Sequence, residues 1–427
     1  MKPTDVIIVG AGYTGLSAAY YLQRNGLSVK VLEASSQVGG RARSDKMNGF
    51  TLDRGLHFYH HSTTELAKII NLDELALKNC YPGYLLRHNG AFNLFTNPMY
   101  QTLDTFSTAM ARNATFTDKM RLFGLYVKLK TTPYGKLVKE PESSTYNYLS
   151  KNGFSKKLID SFFRPLMGAV IFDYNLQSSS RFSKVYLKSV FQDHVALPQD
   201  GIGKVSKMIE EKLMPGTVQF RTRVKRVTDH GVELQNGEFL SSRFVIVATN
   251  AIDANTSIGE KVISAECSHV STLYFSTDKA PLSKPVVILN GNEEGLVNHV
   301  FVPSLLHASY APEGQHLVAV NIVKEHDLDD EELVVACLTE LSEWFGLKVM
   351  DWHHLKTYHI KYAMPFKPIV DEVRFNKRIS DNVFVAGDSL SVGSMETALR
   401  SGRETAALIV EEFKKQPHAA ESQKVVA

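Results

Sequence analysis

The chain has 427 residues, 44% of them hydrophobic and 22% charged, with a formal net charge of +3. That length exceeds one typical core and predicts a two-domain globular protein, and the near-balanced charge excludes the electrostatic footprint of a nucleic-acid binder. No run approaches the roughly 20 apolar residues of a membrane span. A strand pattern is reached by Val6, which leaves no room for a signal peptide, and Cys80, Cys267 and Cys337 form neither a disulfide framework nor a Cys-x-x-Cys pair. The expected setting is therefore the reducing cytoplasm.

The first element is an apolar strand over 6–9, followed by Gly10-x-Gly12-x-x-Gly15 and a helix to about Asn25, with Gly26 as its stop. Gly10 permits the tight turn, Gly12 lets a pyrophosphate approach the backbone, and Gly15 lets the helix pack on the strand. The phosphate then rests on the free N–H groups of the helix start. A second strand over 28–32 ends at Glu33, roughly 20 residues beyond the glycines, where a carboxylate accepts ribose hydroxyls. Gly39-Gly40-Arg41 and Arg43 follow six residues later; the glycines allow close backbone approach and an arginine pairs with a phosphate. A second reading is a Gly-rich loop with solvated arginines.

Phe50 and Leu52 alternate as in a strand, and Asp53-Arg54-Gly55 makes a turn. His57, His60 and His61 match no zinc spacing, so no metal is expected. A helix is predicted over 63–70 and a hairpin over 84–95 about Asn89-Gly90. From 95 to 196 the pattern turns helical: Leu103, Phe106 and Met110 share a face, as do Met120, Phe123, Val127 and Leu129. Arg112, Lys119, Arg121, Lys128, Lys130, Lys136 and Lys139 read as a solvated face or, alternatively, as attachment to an anionic membrane surface. Ser143-Ser144-Thr145 offers one helix cap and Ser155 the next, and Pro165 should kink the second of those helices. A helix through 213, a strand over 223–227, a turn at Asn236-Gly237 and a strand over 244–249 come next. Four strand patterns and a helix containing Leu333, Cys337, Leu341 and Trp344 occupy 262–355. The segment 358–365 follows, then the strand 382–386, and Gly393-Ser394-Met395 opens the last helix.

Gly10-x-Gly12-x-x-Gly15, Glu33 and Gly39-Gly40-Arg41 at one end, with Val385-Ala386-Gly387-Asp388 and Gly393-Ser394-Met395-Glu396-Thr397-Ala398 at the other, resemble the flavin amine oxidase superfamily. The run through Phe162-Phe163-Arg164-Pro165-Leu166 is more similar to its phytoene desaturase and protoporphyrinogen oxidase branch than to true amine oxidases. The resemblance implies an α/β architecture: a Rossmann-like FAD-binding domain from 1–95, 197–258 and 356–415, a discontinuous α+β substrate domain from 96–196 and 259–355, and a flexible tail over 416–427. It implies FAD against Gly10, Gly12, Tyr13, Thr14 and Gly15, against Glu33 and Ala34, and against Gly40, Arg41, Ala42 and Arg43. Further contacts are implied at Gly55, Leu56 and His57, at Val224 and Ala248, and at Gly387, Asp388, Ser394, Met395 and Ala398. Asp388 would serve the ribityl–phosphate part and the N–H of Met395 the flavin edge, where a helix start favours negative charge.

The implied activity is hydride abstraction from a C–H (or C–N) bond of an apolar small molecule. A flavin amine oxidase, a redox-neutral isomerase needing reduced flavin, and a flavin-fold protein that only binds a ligand remain alternatives. Amine oxidases of the family carry a lysine in the first substrate-domain strand; the matching position here is Val270. No catalytic acid or base emerges. His57 is either near the ring or structural, and Tyr362 is a second candidate of the same standing.

Overall fold

The computed structural model describes residues 4–61, 63–96, 115–192, 195–370 and 373–415. Leu103, Phe106, Met110 and Arg112 and the 416–427 tail lie outside those residues.

The strand Thr4–Val9 stands inside an eight-stranded sheet, parallel to Val29–Leu32 on one side and to Phe239–Val247 on the other. Val383–Ala386 extends the sheet in parallel beyond Phe239–Val247. Segments from both ends of the chain thus meet side by side. Val6 and Ile8 face one core layer, Ile7 and Val9 the other. Burial on both faces is why the sequence shows an unbroken apolar run rather than alternation. The helix Tyr13–Arg24 follows, and Gly26 closes it at φ +80°.

The C-terminal helix Met395–Lys415 lies on this first helix. A Cβ at Gly402 would come within 2.3 Å of the Thr14 carbonyl oxygen, and Ser17 Oγ donates to the Leu399 carbonyl at 2.8 Å.

A seven-stranded sheet runs in the order His353–Pro365, Cys267–Thr277, His316–Ile322, Val297–Phe301, Val287–Asn290, Gly83–His88 and Ala91–Thr96. One face packs on the helix Asp330–Phe345 through Leu333, Cys337, Leu341 and Trp344. Tyr274, Phe301, Leu317 and Ala319 on the other face meet the helical insert at Phe162, Phe163, Leu166, Met167 and Phe182.

The expected hairpin turns at Asn89 and Gly90, both at positive φ. It joins this second sheet, however, through parallel pairing of Gly83–His88 with Val287–Asn290. The expected segment limits at 95 and 356 therefore fall inside strands of the seven-stranded sheet. A hairpin pattern fixes its own two strands but not the sheet they enter.

Three local expectations are corrected. The region 63–70 holds only the short 3₁₀ turn Leu66–Lys68, because Thr64 Oγ1 and the Glu65 N–H are tied to the Glu396 carboxylate. The kink expected at Pro165 is a π-helical turn over Ile159–Phe163 immediately before it. On the helix Phe116–Thr131 the buried stripe is Asp118, Leu122, Leu125, Tyr126 and Leu129. Met120, Phe123 and Val127 lie exposed on the other side, with Phe116 at 76%. Among the described residues no helix is long and apolar enough to cross a membrane.

Asp53, 2% exposed, ties its own strand Phe50–Asp53 to the strand Cys267–Thr277, to the start of the helix Gly203–Glu210 and to the turn at Tyr310. Its carboxylate accepts from Ser44 Oγ at 2.5 Å, the Ile202 N–H at 3.1 Å and the Tyr310 hydroxyl at 3.2 Å, while its carbonyl accepts from the Tyr274 hydroxyl. Burial outweighs these bonds and pushes its carboxyl up to about 6 from an ordinary 3.8. A raised acid means that ionisation costs the folded state. The cost is complete above about 6 and fades as pH falls toward the ordinary value. Asp53→Asn keeps an acceptor for Ser44 and Ile202 without the charge. It should unfold at or above the wild-type temperature at pH 7.5, by up to roughly 3 kcal/mol, with the advantage shrinking between pH 6 and 4. Thermal denaturation across that range reads it; a difference independent of pH would show that the buried charge carries no cost.

Candidate active site

A cavity of about 1310 Å³ opens between the two sheets. Its lower wall is the turn after the first strand. A Cβ at Gly15 would meet the Gly10 carbonyl oxygen at 1.9 Å, so only glycine allows the helix to start so close to the strand. Gly12 is different: it has an ordinary backbone (φ −77°, ψ −179°), and a Cβ there would meet nothing within 4 Å. The helix it opens has no acidic residue in its first turn and no side-chain cap. Its free N–H groups and the positive end of its dipole face an open space, which is the arrangement that receives a phosphate.

Gly10, Gly12, Tyr13, Thr14, Glu33, Ala34, Gly40, Arg41, Ala42, Leu56 and His57 all line this cavity, as do Val224, Ala248, Gly387, Asp388, Ser394, Met395 and Ala398. Glu33 accepts from the Ala11 N–H at 2.9 Å through one oxygen and from the Ser35 N–H at 2.8 Å through the other, which fixes the carboxylate at the rim. Arg41 donates to both Asp388 oxygens at 2.7 Å and to the Ala363 carbonyl at 3.1 Å. This ion pair joins the N-terminal and C-terminal walls.

Four of the sequence-derived residues lie off the cavity surface. Gly15 packs behind the turn. Arg43 turns to Ser35 Oγ at 2.9 Å. Gly55, at φ +86°, backs His57, and a Cβ there would press on Ile360. Tyr362 lies in the core against Val383 and Ala251, under the Arg41 guanidinium at 5.5 Å, with its hydroxyl sealed and unpartnered. From there it does not reach a substrate.

His57 Nε2 lies 3.1 Å from the Arg54 carbonyl. A carbonyl only accepts, so Nε2 carries the hydrogen. Burial, with the nearby Arg41 charge adding to it, lowers this imidazole below its ordinary 6.5, and the ring is neutral at pH 7. Sequence reasoning missed Tyr186, whose buried hydroxyl donates to the Val392 carbonyl at 2.8 Å and to that of Gly393. It holds the loop from which the last helix starts; no motif around Tyr186 signals this. Ser394 Oγ caps that helix by accepting from the Thr397 N–H at 3.2 Å.

The model of the family described as flavin containing amine oxidoreductase matches residues 13–410. The chain belongs to that family. Protoporphyrinogen oxidase 2 of Arabidopsis thaliana is 39% identical over 101 residues, 22% of this chain and 20% of that protein. A hydroxysqualene dehydroxylase of Sinorhizobium fredii is 51% identical over 57 residues, 13% of this chain and 14% of its own length. The matched stretches thus span a fifth or less of these curated relatives. Cyclohexylamine oxidase of Brevibacterium oxydans shares the fold at a TM-score of 0.72 and 18% identity, covering 96% of this chain and 100% of that one.

The cofactor of this flavin-containing family here is FAD, and the cavity fits it. The uncapped helix start and the open space beside Gly12 suit a pyrophosphate, and the rim carboxylate of Glu33 suits a ribose. The two glycines can be separated experimentally. Gly12→Ala should melt with the flavin-free wild type yet retain flavin at least about tenfold more weakly, because its methyl group enters the open space. Gly15→Ala should lose roughly 1–3 kcal/mol or more of stability from backbone overlap. Melting temperature of stripped protein and the flavin-to-protein absorbance ratio measure both; equal flavin retention in Gly12→Ala would refute the cradle.

Proposed function

We propose that this chain is an FAD-dependent oxidoreductase that removes hydride from a C–H bond of a largely apolar small molecule, in a dehydrogenase or desaturase manner. One observation carries the reading. The cavity wall contributed by the helical insert and the second sheet contains Val138, Ala169, Val170, Phe172, Val190 and Val287 and, among the described residues, no carboxylate, lysine or arginine. Charged lining residues such as Glu33, Arg41, Arg223 and Asp388 sit on the opposite wall. A charged amine would shed its water against the uncharged wall without a counter-ion, at considerable cost.

In this reading the start of the first helix and Gly12 take the pyrophosphate, Glu33 takes a ribose, and Arg41 with Asp388 meets the ribityl–phosphate part. The uncapped N–H of Met395 addresses the flavin edge. FAD supplies the hydride acceptor, and the protein's share is placement and exclusion of water. Tyr186 fixes the 392–393 loop, and the apolar wall orients the substrate. His57 stays neutral with its proton committed to Arg54, so it acts in positioning rather than as an acid. The two-domain division belongs to the same reading, with limits moved to the ends of the sheets near 82 and 366. So does a cytoplasmic setting, supported by three free cysteines, none of which lines the cavity.

Val270 supports the choice between branches. It is buried with Val323 and Ala363 beside Phe172, in the strand where the amine oxidases this chain resembles carry lysine. The relatives named for protoporphyrinogen oxidation and hydroxysqualene dehydroxylation point the same way.

Under anaerobic conditions, simple primary and secondary amines should not bleach the flavin quickly, whereas a member of an apolar metabolite panel should. Air should reoxidise the chemically reduced enzyme slowly. Stopped-flow absorbance follows both, and rapid bleaching by an amine with prompt peroxide release returns the protein to the amine oxidase reading. Glu33→Ala removes a charge-assisted hydrogen bond of roughly 1.5–3 kcal/mol and should weaken FAD retention about tenfold or more. Unchanged retention on gel filtration means Glu33 is not the ribose ligand.

A further inference from the structure

On the uncharged wall one group is chemically distinct. His299 lies in the strand Val297–Phe301, is 2% exposed, and lines the cavity. The strand bulges just before it. Val297 stands opposite Ile322 and His299 opposite Asn321, so Asn298 is an extra residue. Bulges re-aim side chains, and they recur beside functional sites.

The bulge fixes the chemistry of the ring. Asn298 Nδ2 donates to the Pro165 carbonyl at 3.2 Å, and a carbonyl accepts only from a donor, which sets the orientation of the amide. The same Nδ2 lies 3.0 Å from His299 Nδ1. His299 Nδ1 must then be the acceptor, so the hydrogen of the neutral ring is on Nε2. Gly168 makes this possible, since a Cβ there would come within 2.4 Å of Asn298 Oδ1. Burial pushes the imidazole down to about 3, so it is neutral at any working pH.

Nε2 has no partner among the described residues, and it is not one of the polar atoms sealed inside the protein, so it opens onto the cavity. Two other polar groups on this wall are taken, the Tyr186 hydroxyl by the 392–393 loop and Ser189 Oγ by His60; Tyr84 and Tyr134 also line it. Phe301, on the same face of the strand, packs edge-on against the cavity residue Phe58 at 5.2 Å.

We propose that His299 determines substrate specificity by donating its Nε2–H to a neutral oxygen acceptor (carbonyl, hydroxyl or ether) on an otherwise apolar substrate. This rests on the apolar-substrate reading above and narrows it: the substrate carries one uncharged oxygen function set away from the reacting carbon, and a pure hydrocarbon is disfavoured. A ligand without an acceptor leaves a desolvated donor unpaired, and such omissions discriminate strongly.

The test uses the flavin-loaded enzyme and two probes of one skeleton, 9-fluorenone and fluorene, which differ by a carbonyl in place of a methylene. Calorimetric titration should show the ketone binding about tenfold more tightly. His299→Phe should bind the two alike, and His299→Gln, which restores an N–H, should recover part of the preference. The glutamine variant keeps the test in force if the phenylalanine variant does not fold. Fluorene binding with no ketone preference in the wild type, or a preference that survives in His299→Phe, overturns the role of His299 alone. Failure of both probes to bind overturns the apolar cavity and this assignment together.

Discussion

The site depends on one close approach between helices. The first helix and the last, 382 residues apart at the Ser17–Leu399 bond, touch backbone to backbone because Gly402 has no side chain to meet the Thr14 carbonyl. That contact, with the parallel pairing of the first strand, Phe239–Val247 and Val383–Ala386, places two helix starts on one cavity. Each start offers N–H groups that the helix itself leaves unpaired. A larger residue at 402 would force the helices apart, and Asp388 would lose its register with Arg41. The ion pair depends on the crossing and on the strand pairing together, because its partners stand on walls contributed by the two ends of the chain.

The cavity is divided by polarity rather than by shape. One wall carries carboxylates, guanidiniums and uncapped N–H groups; the other carries valines, phenylalanines and a neutral imidazole. A flavin dinucleotide has the same asymmetry, with a charged pyrophosphate arm and a planar ring where chemistry occurs. In the function proposed above, the charged wall would offset the cost of binding the arm. The apolar wall would keep water from the ring and leave a substrate's apolar surface as the main source of its affinity. A cyclohexylamine oxidase shares the fold at 18% identity, a likeness of scaffold alone. The lining residues must therefore set the substrate.

What was legible in the sequence is what is decided locally. The glycine turn, Glu33, the Asn89-Gly90 hairpin and the Gly387-Asp388 strand end are each specified within a dozen residues, and each formed as read. What was not legible depends on distant partners. The hairpin's choice of sheet rests on pairing with a strand some 200 residues on. The buried face of Phe116–Thr131 is selected by what packs on it, and two apolar stripes compete on that helix; the one with Leu122, Leu125 and Leu129 won. Tyr362 reads as a plausible active-site tyrosine in sequence, yet it packs into the core while Ala363 and Met364 line the cavity, where the strand's register with Cys267–Thr277 is irregular. Tyr186 and His299 carry no motif at all; their importance lies in which carbonyls and cavities they face.

Hydrogen-bond satisfaction separates two kinds of buried polar residue that sequence cannot tell apart. Asp53 and His299 are equally buried, and burial perturbs both titrations toward the neutral form. Asp53 is closed: three donors from separate segments of the chain meet its carboxylate, and nothing is left to offer a ligand. Its role is to lock those segments together. His299 is half-closed, with one nitrogen fixed by a bulge that costs a regular ladder position and the other left open. On the same face of the sheet, Thr272 donates to Asn321 Oδ1, opposite His299, and Asn321 Nδ2 is sealed without a partner. A row of three buried polar side chains across three strands is costly in a core that valine would fill. Packing alone supplies no reason to keep it. The cost is understandable where the end of that row opens on a ligand that completes the bonding, and the only lining residue of the three, among those described, is the one with a free donor.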